Sequence, residues 1–193
     1  MKVLVIGAGA REHAIIDSLL ADASVTSVIV APGNAGMAAV VETRPIDVND
    51  PEAVGALAAD LTADLVVIGP EVPLVAGAAD SVRSRGIACF GPSAEAAQLE
   101  GSKAFAKQVM AEADVPTAMS YVCSTVEQVE DALGQFGAPY VVKDDGLAAG
   151  KGVVVTSDRN AAVAHARECL AKGTDARVVI EEFLDGPEVS LFA

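Results

Sequence analysis

Residues 141–155 read VVKDDGLAAGKGVVV. Two β-branched runs flank a loop that holds Gly146, Gly150 and Gly152, with Lys143 before it and Lys151 within it. Glycines let an anion approach backbone N–H groups without a Cβ in the way, and lysines supply the opposing charge. The chemistry that suits this pattern is the holding of a polyphosphate. The Walker sequence G-x-x-x-x-G-K-[ST] does not fit. Gly146 and Gly150 are four apart rather than five, and Gly152 stands where the magnesium-binding hydroxyl belongs. The following GVVVT also reads as a strand, whereas a P-loop opens a helix. The stretch is expected to be a flap between two antiparallel strands, with its N–H groups, Lys151 and Lys143 closing over phosphates. The plainer alternative is a hairpin loop with solvated lysines, although a hairpin needs only one or two glycines.

Three further stretches carry candidate chemistry. In VVIEEFLDGPE (178–188) a strand ends in an acid pair, an aromatic and a leucine. Its backbone could hydrogen-bond the edge of a flat base while Phe183 and Leu184 cover the surroundings, and Glu188 could accept ribose hydroxyls. The alternative is an edge strand with solvated acids. The stretch GAGARE begins like a dinucleotide fingerprint at Gly7 and Gly9, but Glu12 stands at the third glycine position. No acid follows the second strand, which ends Ala31-Pro32-Gly33, so a ribose 2′-hydroxyl would find no carboxylate. The loop could still serve another anion. Its glycines permit close approach, a helix N-terminus follows, and Arg11 adds a planar cation. A tight turn with a solvated Arg11 is the alternative. Glu71, in GPEVP, could bind an amine or a ribose hydroxyl, or be an ordinary loop acid. Asn34 suits a turn.

These residues need a frame. Continuously apolar runs at 3–6, 25–33, 64–71 and 86–93, with a shorter one in 45–50, read as strands. Helical patterns separate them at 12–20, 51–60 (Pro51 at the first position, Asn49 or Asp50 as cap) and 75–85, and another helix follows Ser93. Alternation of this kind predicts a Rossmann-like α/β domain over 1–100, with a parallel sheet covered on both faces. Ligands bind outside the carboxyl ends of such strands, so the loops GAGAREH, APGNAG and GPEVP should converge. From 101 to 193 the pattern changes to a small α+β unit with antiparallel strands. Helices are expected at 101–113, 124–136 with Ser124 as cap, and 158–172. Strands are expected at 139–143, 152–156, 177–184 and 188–193. The chain stops inside a strand pattern, which predicts a longer parent.

Composition bounds the function. The chain has 193 residues, 52% of them hydrophobic, and a formal net charge of −14. That field repels a phosphate backbone, so no nucleic-acid role is expected, although local lysines could still hold a nucleotide. No apolar run of about 18 residues is present, so no membrane span is expected. MKVLVIGAGA is followed at once by REH and reads as a first strand, not a leader. Cys89, Cys123 and Cys169 are widely spaced, which predicts reduced thiols in a cytoplasmic protein and no structural zinc.

Eight stretches in order, GAGAREHA, APGNAG, DLVVIGPEVPLVAGAAD, FGPS, QLEGSKAFAK, VPTA, VVKDDGLAAGKGV and EEFLDGPEVS, resemble the phosphoribosylamine–glycine ligase (glycinamide ribonucleotide synthetase) family of the ATP-grasp superfamily. The resemblance spans nearly the whole chain. It implies a pre-ATP-grasp substrate-binding domain at 1–100 and the start of an ATP-grasp domain at 101–193. It implies ligation of glycine to 5-phosphoribosylamine in purine synthesis, with ATP as substrate and an acyl phosphate as intermediate. Carried over by position, Lys103 and Lys143 would contact phosphates, and Gly146, Gly150, Lys151 and Gly152 would form the flap. Glu181, Phe183 and Leu184 would surround adenine, and Glu188 would bind ribose. Gly9, Arg11 and Glu71 would face the phosphoribosyl substrate.

Magnesium or manganese is implied too, with its ligands expected beyond this chain, since domain-size reasoning makes the family enzyme about twice as long. The chain alone is therefore expected to lack ligase activity, and the full-length enzyme is expected to be a monomer. Two departures stand out: Asp144 where a small residue is usual, adding charge near the phosphates, and Pro187 where an acid is usual. The alternatives are another ATP-grasp carboxylase or ligase, and a nucleotide-binding fragment without chemistry.

Overall fold

The computed structural model describes residues 1–147 and 152–191. The chain divides into two compact units, Met1–Gly101 and Ser102–Ala193.

The first unit is a five-stranded parallel sheet. Its elements run β1 (Lys2–Gly7), α1 (Ala10–Leu20), β2 (Ser27–Pro32), α2 (Ala35–Ala38), β3 (Glu42–Thr43), α3 (Pro51–Asp60), β4 (Leu65–Ile68), α4 (Glu71–Ala76), α5 (Ala78–Ser84), β5 (Ala88–Phe90) and α6 (Ala94–Gly101). The order across the sheet is β3-β2-β1-β4-β5. Side chains alternate across a strand, so β1 feeds two cores at once. Leu4 and Ile6 pack with Ile29, Val66, Val54 and Val82 on one face. Val3 and Val5 pack with Val28, Val30, Ile16 and Met37 on the other. This double burial is why these strands read as unbroken apolar runs.

Local chemistry sets the helix ends. Asp50 caps α3 by accepting from the N–H groups of Glu52 and Ala53, with Pro51 at the first position. The single helix expected at 75–85 is two. Gly77 adopts φ +99°, closes α4 and opens α5, because only glycine enters that region without steric cost. The short strand expected in 45–50 lies earlier, at Glu42–Thr43, paired to Ile29 and Val30. Residues 47–50 instead form a turn in which Asp47 Oδ1 accepts from Asn49 N, and Ile46 and Val48 pack singly on the core.

The second unit contains α7 (Lys103–Glu112), β6 (Ser120–Cys123), α8 (Val126–Phe136), β7 (Tyr140–Asp144), β8 (Val153–Thr156), α9 (Arg159–Leu170) and β9 (Val178–Glu181). Its antiparallel sheet has the order β6-β9-β7-β8. Helices α8 and α9 cover one face through Val129, Leu133, Ala162 and Ala166, packed on Val142, Val178 and Ile180. Thr125, not Ser124, caps α8; Ser124 instead donates to the Gln128 side chain.

β9 is an interior strand, not an edge, and it ends at Glu181 rather than Leu184. Beyond it, Glu182 N donates to Met119 O and Glu182 Oε1 accepts from Met119 N, which ends the ladder. The strand expected at 188–193 does not form over 188–191, where Val189 and Leu191 are exposed. Residues 192–193 lie outside the described residues.

Candidate functional site

In the second unit the loop after Lys143 does join two antiparallel strands, with Lys143 paired to Val153. Its base is tied to the N-terminus of α7. The Asp145 carboxylate, 2% exposed, accepts from Ser102 Oγ at 3.0 Å and from Ala104 N at 3.0 Å, and Arg177 Nη2 lies 3.0 Å away. A carboxylate at a helix N-terminus satisfies donors that have no partner within the helix. Lys103, the first residue of α7, donates Nζ to Gly146 O at 2.9 Å.

One helical turn on, Lys107 points to the same side of α7. Its Nζ donates to Thr117 Oγ1 and Ala118 O, both at 2.7 Å, and meets Glu181 Oε1 at 3.2 Å. The other oxygen of Glu181 holds Lys143 Nζ at 2.6 Å. Glu181, 7% exposed in its side chain, is therefore a buried carboxylate between two ammonium groups. Lys103 and Lys143, separate in sequence, are thereby brought to one side of the same helix.

Three expectations change here. Glu181, expected among the residues around adenine, has both carboxylate oxygens engaged by Lys107 and Lys143. The backbone of β9 does not present a free edge, since Glu181 is paired to Ser120 on one side and to Val141 on the other. In the segment that follows, Phe183 and Leu184 are exposed and Glu188 lies outside any strand. Asp144 does not leave an unbalanced charge. It pairs with Lys172, whose pKa is raised chiefly by that hydrogen bond. Gly152 is buried, and its carbonyl accepts from Asp144 N at 2.7 Å. Gly150 and Lys151 lie outside the described residues.

In the first unit three loops converge at the carboxyl ends of the strands, where the strand order reverses beside β1. Gly33 N donates to Gly7 O, Asn34 Nδ2 to Ala8 O, and Gly69 N to Ile6 O. Arg11 Nη2 meets Glu71 Oε1 at 2.9 Å, linking the first loop to the third. That contact raises the Arg11 pKa. The Glu71 carboxyl is held below its usual range, first by its own backbone N–H and then by Arg11. The glycines serve a different end from the one expected. Glu12 is 3% exposed and folds back so that Oε2 accepts from Gly9 N at 2.7 Å. A Cβ on Gly7 would lie 2.6 Å from Glu12 Cγ, and one on Gly69 would lie 2.0 Å from Oε1. The space these glycines leave is filled by a side chain of the chain itself, and the Gly9 amide is already engaged.

Sequence reasoning passed over Lys107, Asp145 as a cap, and the buried Glu12. Lys107 had a usable signal, four residues after Lys103 on one helix. Asp145 had none, because Ser102 and Arg177 are distant in sequence. Among the described residues no three His, Cys, Asp or Glu side chains gather as a possible metal site. No helix of the described residues is long and apolar enough to cross a membrane.

Comparison with known proteins bears on both units. Residues 1–100 match the family described as phosphoribosylglycinamide synthetase, N domain, and residues 101–193 match its ATP-grasp (A) domain. Phosphoribosylamine–glycine ligase of Streptomyces coelicolor is 66% identical over 193 residues, covering 100% of this chain and 45% of that protein. The Leifsonia xyli protein of the same name is 58% identical, covering 100% and 46%. The crystal structure of phosphoribosylamine–glycine ligase from Thermotoga maritima superposes with a TM-score of 0.76 at 32% identity, over 97% of this chain and 45% of that one. An ADP complex of N5-carboxyaminoimidazole ribonucleotide synthetase shares the fold, with a TM-score of 0.72 at 19% identity over 95% and 47%. The chain thus spans less than half the length of the curated relatives it matches. With both of its units matched in order, the chain belongs to the phosphoribosylglycinamide synthetase family.

Proposed function

We propose that residues 102–191 hold the adenine nucleotide of an ATP-dependent ligase that joins glycine to 5-phosphoribosylamine. The observation that carries this reading is the pairing of Lys107 and Lys143 with Glu181, together with Lys103 donating to Gly146 O at the start of the loop that follows Lys143. The polyphosphate would lie under that loop, against Lys103 and Lys143. Adenine would meet the chain after Glu181, between Phe183 and Leu184, and Glu188 would accept from ribose. The ADP bound by the carboxyaminoimidazole relative and the ligase name of the high-identity relatives support this reading.

The chemistry would follow from positioning. The γ-phosphoryl group passes to a glycine carboxylate oxygen, giving an acyl phosphate and ADP. The amine of phosphoribosylamine then attacks the acyl carbon, an amide forms, and inorganic phosphate and a proton leave. Lysines neutralise the charge that gathers on the phosphates. Arg11 and Glu71 would face the phosphoribosyl group, while Gly9 acts through the turn it allows. A magnesium ion would need oxygen ligands. Among the described acids, Asp145 and Glu181 are committed to Ser102, Arg177 and lysines, so they do not fit that role. The setting proposed is cytoplasmic purine synthesis by a monomer, without nucleic-acid or membrane partners; the three free cysteines agree with a reducing compartment.

The test uses the full-length protein. ADP release that depends on both glycine and phosphoribosylamine supports the reading. Release that depends on bicarbonate instead would move the protein to a carboxylase.

A further inference from the structure

The proposed nucleotide site contains a charge that no ligand contact requires. Lys107 is 12% exposed in its side chain, and all three of its N–H donors are accounted for by Thr117 Oγ1, Ala118 O and Glu181 Oε1. It has no donor left for a phosphate. Lys143 is different. Among the described residues it meets Glu181 Oε2, and its side chain is 27% exposed. A phosphate drawing on Lys143 must therefore compete with a carboxylate that is 7% exposed. If that carboxylate had Lys143 as its sole cation, releasing Lys143 would strand a buried negative charge, which is strongly unfavourable.

We propose that Lys107 is a positioning residue for nucleotide binding: it is the fixed counter-ion of Glu181 that leaves Lys143 free to turn to the phosphates. The inference rests on the reading of residues 102–191 as a nucleotide site. The arrangement divides the work. Lys107 is held by two neutral acceptors on the segment before β6, Thr117 Oγ1 and Ala118 O. Glu181 sits at the end of the interior strand β9, held from both sides by the sheet. Lys143 ends β7 and is the mobile partner. The β7 side chain carries the contact with ligand, and the α7 side chain keeps the carboxylate balanced while that contact is made.

The test is calorimetric titration of the full-length protein with ATP and, separately, with adenosine, which lacks the phosphates. Lys107→Met is expected to weaken ATP at least tenfold while adenosine changes by less than twofold, and Lys107→Arg is expected to recover most of the ATP loss. In a Glu181→Gln background Lys107→Met should cost no further ATP affinity, because no buried charge is left to strand. That neutral pair also supplies a folded comparison if Lys107→Met alone does not fold. Equal loss of ATP and adenosine, no loss of either, or full loss of ATP affinity for Lys107→Met in the Glu181→Gln background would each overturn the inference while leaving the nucleotide site in place. A full-length wild-type protein that binds neither ligand would overturn the site and the inference with it.

Discussion

The Cβ that Gly69 lacks would fall 2.0 Å from Glu12 Oε1. Two loops that approach each other at the reversal of the sheet are thus fitted around one buried carboxylate. Gly69→Ala should destabilise the first unit by about 1–3 kcal/mol through overpacking. For a unit of 101 residues, that is a fall in melting temperature of about 4–8 °C per kcal/mol. The double variant Glu12→Ala/Gly69→Ala should melt above the sum of the two single effects, since the clash is gone. Thermal melts of the four proteins decide it, and strict additivity would contradict the packing described.

Asp145 ties the start of the loop to α7 through Ser102, Ala104 and Arg177. Asp145→Ala should leave those donors without their acceptor and cost about 3 kcal/mol, with Asp145→Asn milder. Hydrogen exchange offers a local reading: the Ala104 amide should exchange markedly faster in Asp145→Ala. An unchanged Ala104 rate would mean that the cap is not formed.

Acid should weaken the first unit in a defined window. Glu71 is held below its ordinary value of 4.5 by its own backbone N–H and by Arg11, and Glu52 is held below the same value by Arg85 and Ser81. A carboxyl depressed in the folded state contributes stability above its unfolded value and loses it as pH falls through the folded one. The loss should begin near pH 4.5 and deepen below it. The variant Glu52→Gln/Glu71→Gln should show a shallower fall of the urea midpoint from about pH 5 to about pH 3. Parallel curves for variant and wild type would contradict these assignments.

Much of the first unit was legible because its signals are local. β1, β2 and β4 announce themselves by apolar runs buried on both faces, and Asp50 with Pro51 marks a helix start. Gly77 was not legible, since a glycine among alanines continues a helical pattern until its φ is known. The hairpin of β7 and β8 could be read from β-branched runs around glycines. The place of β9 between β6 and β7 could not, because sheet order depends on pairing between distant segments. For the same reason the ion pairs of Glu181 with Lys107 and Lys143 could not be read from the sequence. Glu12 looked like a departure from a fingerprint, when it is the residue the neighbouring glycines accommodate.

If the lysines beside Glu181 and the loop at Gly146 form a nucleotide site, ATP must perturb them before any other part of the chain. The most direct measurement is a titration of ATP into the isotope-labelled full-length protein, following backbone amide shifts. Shifts should gather at Lys103, Lys143, Gly146, Gly152 and Leu184, and Lys103→Met and Lys143→Met should each weaken binding about tenfold or more, the worth of one charge-assisted hydrogen bond. Shifts gathered instead around Gly7 and Gly9, or affinity unaltered by either substitution, would contradict it.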